Sequence, residues 1–198
     1  MKMPKGENAA DSAKRARFEQ HALPHLNVVY RMACMLTDDE VAAEDLSQET
    51  FTRAFDGFDR FELRDYGARP WLLRILYNVF YSQRVKLRRE PTLLDDVDFD
   101  HFTDELDDKA WDTDTTASIN WDNVDEELKW AMANLQPAHR NVILLWFVEG
   151  LSYKEIAYVC DCAMGTVMSR LYRARQLLKR DLLGYARERR INTERLDR

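Results

Sequence analysis

Apolar residues recur at three- and four-residue spacing through two stretches of this chain, 18–90 and 125–185, and the segment between them can join neither core. Residues 95–127 carry fourteen Asp and Glu against a single base, Lys109. A run of carboxylates repels itself and is costly to bury, so it separates two packing units. Six Gly and five Pro in 198 residues, with no lasting alternation of apolar and polar positions, make both units helical. The expected fold is all-α: two small helical domains joined by a flexible acidic linker. The expected boundaries are a flexible N-terminal tail over 1–17, a first domain over 18–90, the linker over 91–124, a second domain over 125–185 and a basic tail over 186–198.

In the first domain, FEQHALPHLNVVYRMACML (18–36) offers Leu26, Val29, Tyr30, Ala33 and Leu36 as an apolar face, with a helix start or break at Pro24. Thr37 followed by Glu40 has the spacing of a capping box, which predicts a helix from Thr37 to about Gly57. Its Phe51, Ala54, Phe55 and Phe58 face a core, which leaves Glu44, Asp45, Gln48, Glu49 and Thr52 on a polar, acidic outer face. Pro70 opens a third helix, PWLLRILYNVFYSQRVKLRR, ending in the bases Arg84, Lys86, Arg88 and Arg89.

Several function classes are disfavoured. His21, His25, His101 and His139 are scattered without a nucleophile or ligand cluster, and no phosphate-cradling glycine loop occurs, so no catalytic residue, metal or cofactor is expected. Cys34, Cys160 and Cys162 are too few for a disulfide framework and match no common zinc spacing. No apolar run approaches the ~20 residues of a membrane span, and the N-terminus lacks a secretory apolar segment; a cytoplasmic location is expected.

The net charge of −6 conceals a basic end: residues 164–198 hold ten Arg and Lys against four acids. There, LSYKEIAYVCDCAMGTVMSRLYRAR has the grammar of a helix-turn-helix. Ser152 and Glu155 form a capping box, Asp161 takes the turn position where a left-handed backbone is needed, and the next helix begins near Met164. At about 100° per residue, Val167, Leu171, Ala174 and Leu178 share one inward stripe. Ser169, Tyr172 and Gln176 point the other way with Met168 and Arg173 at the margins, a face suited to a DNA major groove. Arg170 and Arg175 flank the apolar seam, within reach of phosphates.

Four stretches, AAEDLSQETFTRAF (42–55), PWLLRILYNV (70–79), LQPAHRNVILLWFVEGLSYKEIA (135–157) and MGTVMSRLYRAR (164–175), together resemble bacterial RNA polymerase sigma factors of the extracytoplasmic-function group. The resemblance covers about 18–90 and 125–183. It implies a subunit that docks on core RNA polymerase and directs promoter-specific initiation without covalent chemistry. Asp45, Leu46, Gln48 and Glu49 would meet the clamp helices of the polymerase largest subunit. Trp71, Arg74, Asn78, Tyr81 and Ser82, with Arg84, Lys86 and Arg88 supplying charge, would bind the melted minus-ten element, although Trp71 and Tyr81 serve equally well as core. Met168, Ser169, Tyr172 and Arg173 would read minus-thirty-five bases, and Thr166, Arg170 and Arg175 would hold phosphates.

Two positions depart from the family pattern. Met168 stands where many members carry Lys or Arg, and Ser82 where many carry Asp or Asn. The resemblance also implies an anti-sigma factor as partner and a linker threading the polymerase near its active site and RNA-exit channel. In the free protein the acidic linker is expected to cover the basic helix and weaken DNA binding. A sigma-mimic adaptor that binds an anti-sigma factor, or a simple helix-turn-helix regulator, are the alternative readings.

Overall fold

The computed structural model describes residues 9–37, 39–61, 66–88 and 126–188, and every regular element among them is helical. They divide into two units, one on either side of residue 92. The linker expected over 91–124 lies outside the described residues, as do 1–8 and 189–198.

The N-terminal unit contains α1 (Ala9–Ala22), α2 (Leu26–Thr37), α3 (Glu40–Gly57) and α4 (Ala68–Arg88). Its core is formed by Val29, Met32, Ala33 and Leu36 of α2, Ala43, Leu46 and Ala54 of α3, and Leu72, Leu73, Leu76 and Val79 of α4. Thr50, buried among them, donates its hydroxyl to the Leu46 carbonyl at 2.7 Å, so no polar group is stranded there.

Three expectations need correction here. Helix α1 begins at Ala9, inside the stretch read as a tail. Phe18 holds it in place: its ring is 7% exposed and stands edge-on to Phe51, Phe55 and Phe58, at centroid distances of 6.4, 5.2 and 5.3 Å. Lys14 adds an ion pair to Asp59 at 2.6 Å and lies over the Phe55 ring, while Arg17 lies over Phe58.

Second, Thr37 ends α2 and does not start α3. Its hydroxyl donates to the Ala33 and Asp39 carbonyls, and Asp39 is the N-cap, accepting from the Ala42 amide at 2.7 Å. A carboxylate at that position satisfies one amide and complements the helix dipole. Third, the buried face of α2 includes Met32 and Met35, while Leu26 is 48% exposed. The break at Pro24 is as expected, a single 3-10 turn over Leu23–His25.

The C-terminal unit contains α5 (Glu126–Ala133), α6 (Pro137–Phe147), α7 (Tyr153–Cys160) and α8 (Met164–Glu188). Pro137 sits at the start of α6, where its missing amide proton costs nothing. Gly150, at φ 61°, ends the same helix by donating to the Trp146 carbonyl at 3.1 Å. The core gathers Met132 and Leu135 with Val142, Leu144, Leu145 and Val148, and with Leu151, Ile156 and Val159. Helix α8 closes it and continues to Glu188, into the stretch read as a basic tail.

Candidate nucleic-acid interface

The α7–α8 pair is built from local signals in the order the sequence predicts. The Ser152 hydroxyl accepts from the Glu155 amide, and the Glu155 carboxylate accepts from the Ser152 amide at 2.8 Å, completing the capping box. Asp161 adopts φ 52° and ψ 49°, and the Cys162 amide donates back to the Ala157 carbonyl at 3.1 Å. That left-handed residue turns the chain sharply, and α8 begins three residues later at Met164.

Val167, Leu171, Ala174 and Leu178 are all buried, which fixes the rotation of α8. Ser169, Tyr172, Met168, Arg173, Thr166 and Arg170 are half-buried, while Gln176 and Arg175 are exposed. The Ser169 hydroxyl donates to the Thr166 carbonyl at 3.1 Å, leaving its oxygen lone pairs to accept from a base amino group.

Three basic side chains of α8 lie near groups that sequence reasoning did not connect to them. Burial, then the charges of Arg173 and Arg170, pull His139 below its ordinary 6.5, so this residue of α6 is a neutral imidazole at pH 7 beside α8. Arg175 extends over the Trp146 ring of α6, with its guanidinium carbon 5.9 Å from the ring centre. No spacing rule links positions 29 residues apart, and only the fold brings them together.

Burial pushes the Cys160 thiol up to about 12, with Cys162 adding to the shift and Arg170 opposing it. Burial raises Cys162 as well. Both are protonated at neutral pH and poor nucleophiles. Among the described residues no cluster of three or more His, Cys, Asp or Glu could hold a metal, and no helix is long and apolar enough to cross a membrane.

In the N-terminal unit, Trp71, Arg74, Asn78, Tyr81 and Ser82 fall on one stripe of α4, opposite the buried Leu72, Leu73, Leu76 and Phe80. Asn78 and Ser82 are exposed, and the Ser82 hydroxyl donates to the Asn78 carbonyl at 2.5 Å. Trp71 is half-buried against Phe61, with ring centres 4.5 Å apart, and near Phe58. Tyr81 is half-buried beside Tyr77 and Phe80. Both rings are therefore packed against aromatic neighbours yet only half-buried. The helical backbone carries Arg84, Lys86 and Arg88, whose side chains lie outside the described residues.

On α3, Asp45 and Gln48 are exposed and Glu49 pairs with Arg53 at 2.6 Å. Leu46 is 2% exposed and belongs to the core, so the outward members of that set are Asp45, Gln48 and Glu49.

Residues 22–90 match the model of Sigma-70 region 2, and residues 125–178 match that of Sigma-70 region 4. The ECF RNA polymerase sigma factor SigM of Bacillus subtilis is 30% identical over 155 residues, covering 78% of this chain and 88% of that protein. SigE of Mycolicibacterium smegmatis is also 30% identical over 181 residues, covering 90% of this chain and 66% of that protein. The sigma factor RpoE of Bartonella quintana, solved in complex with the anti-sigma factor NepR, superposes with a TM-score of 0.62 at 30% identity, over 84% of this chain and 96% of that one. With two helical units carrying these two regions in this order, the chain belongs to the extracytoplasmic-function sigma factors of the sigma-70 family, non-enzymatic proteins that direct transcription initiation.

Proposed function

We propose that this sigma factor divides promoter recognition between its two units. Asp45, Gln48 and Glu49 on α3 dock on the clamp helices of the polymerase largest subunit. The α4 stripe holds unpaired bases of the minus-ten element, with Trp71 and Tyr81 as stacking platforms and Asn78 and Ser82 as polar contacts. Arg74, and the basic positions Arg84, Lys86 and Arg88 further along the helix, supply charge against the single strand. Helix α8 enters the major groove of the minus-thirty-five duplex, where Met168, Ser169, Tyr172 and Arg173 meet base edges and Thr166, Arg170 and Arg175 hold phosphates.

The observation that carries this reading is the rotation of α8. The burial of Val167, Leu171, Ala174 and Leu178 supports it, because it leaves Ser169 and Tyr172 on the far side of the helix with Met168 and Arg173 at the margins. The acidic 95–127 segment suits a polymerase channel shaped for nucleic acid, because its carboxylates present phosphate-like charge. An anti-sigma factor is the expected inhibitory partner, by likeness to RpoE, which was solved with NepR.

Permanganate footprinting of the complex with core polymerase tests the division. Unpaired thymines at the minus-ten element should become reactive with the wild-type chain. Asp45→Lys should abolish that reactivity by preventing assembly, whereas Tyr81→Ala should assemble and open poorly. Full reactivity with both variants would contradict the assignment.

A further inference from the structure

Leu23 and Leu26 are 46% and 48% exposed, two of the five large apolar side chains left this open among the described residues. They bracket the 3-10 turn between α1 and α2, and the Leu26 amide donates back to the Leu23 carbonyl. Residues three apart eclipse in a 3-10 turn, so both leucines project from one side of it. The core of α2 does not use them, because its buried face runs through Val29, Met32, Ala33 and Leu36. A single exposed leucine is ordinary on a protein surface, whereas two on one side of a short turn make an apolar knob.

The surroundings of the knob say what it meets. The turn packs against the start of α4, where burial, then the charge of Arg69, lowers His25 below 6.5 and leaves a neutral ring. In the last turn of α1 the His21 ring lies 6.4 Å from that of Phe61, which is in turn 4.5 Å from Trp71. All three rings are half-buried, so an aromatic path runs from the first turn of α4 to the end of α1, beside the knob. Because Trp71 stands in that first turn, a strand laid along the α4 stripe runs off the helix there. Half-buried rings beside a cation suit single-stranded DNA, with Arg69 near enough for a phosphate. Leucine is one of the side chains that wedge between base steps and unstack them. We propose that Leu23 and Leu26 form an apolar wedge for the single strand, holding apart the unpaired bases that follow beyond the Trp71 end of the α4 stripe. This rests on the strand-binding role given to α4 above, and it adds a contact outside the minus-ten element.

The test uses the full chain with core polymerase and a premelted bubble duplex built on a start site mapped for this chain, with 2-aminopurine placed at one non-template position at a time. In the wild type, fluorescence should rise at minus-ten positions and again at about one or two positions adjoining them, where the wedge unstacks the strand. Replacing both leucines, Leu23→Ser with Leu26→Ser, should abolish the adjoining rise, keep the minus-ten rise and weaken bubble binding about three- to tenfold. Leu23→Met with Leu26→Met should keep the adjoining rise and the affinity. Both leucines are exposed, so neither variant depends on repacking a core. An adjoining rise that survives in the serine variant would overturn the proposal, and so would weaker binding to core polymerase without DNA, which would make the knob a protein contact. Absence of the minus-ten rise in the wild type would overturn the reading of α4 as well.

Discussion

The guanidinium of Arg175 on α8 lies over the indole of Trp146 on α6, with 5.9 Å between the guanidinium carbon and the ring centre. An exposed arginine free to rotate would lose side-chain entropy on reaching a phosphate, and an aromatic ring beneath it reduces that loss. Trp146→Leu should therefore weaken binding of every duplex by about two- to fivefold, matching a cation–π contribution of about 0.5–1 kcal/mol. Trp146→Phe should retain most of the affinity. Binding titrations across salt concentrations check this, because Arg175→Ala should also lower the salt slope by about one.

Arg173 and Arg170 are adjacent turns of the same helix with different expected duties. Arg173→Ala should cost about 1–3 kcal/mol at one upstream base pair and relax preference there, whereas Arg170→Ala should weaken all sequences alike. A panel of single-base-pair variants of the upstream element separates the two. Identical profiles for both variants would contradict the split.

His139 gives the C-terminal unit a pH dependence. Its folded imidazole is harder to protonate than the free one, because it is buried and faces Arg173 and Arg170. Unfolding therefore takes up a proton below about pH 6.5, and stability that is full above that value declines as the pH falls. His139→Asn should flatten the acid side of the profile, as read by denaturant midpoints of the full chain between pH 7.5 and pH 5, each about a unit or more from the reference value.

Phe18 should anchor α1 with the energy of a core aromatic. Phe18→Ala should destabilise the N-terminal unit by about 3–5 kcal/mol, and Phe18→Leu by less, since volume is better conserved. Thermal unfolding checks the magnitude, and hydrogen exchange over 9–22 checks that α1 is what loosens.

How far the sequence foretells this fold depends on how local each signal is. The Ser152–Glu155 box, the Asp161 turn and the Val167–Leu178 stripe were readable because each is set within a few residues. Helix α1 was not, since ADSAKRAR shows no apolar stripe and its stability comes from rings 33 to 40 residues away. The cap of α3 was misplaced by two residues because Thr37 and Asp39 both suit the role, and only the hydrogen bonds choose Asp39. Leu46 was grouped with Asp45 and Gln48 only through the family motif, and helical rotation puts it beside Thr50 in the core. The Trp146–Arg175 and His139–Arg173 relationships join separate helices and leave no trace in spacing.

Run-off transcription on genomic fragments with purified core polymerase and this chain, with start sites mapped, tests the central claim most directly. Defined start sites should appear only when the chain is added, each preceded by one shared pair of elements at constant spacing, and Tyr172→Ala should lower their yield through the upstream element alone. Binding to core polymerase without any defined start site, or start sites sharing no upstream element, would contradict it.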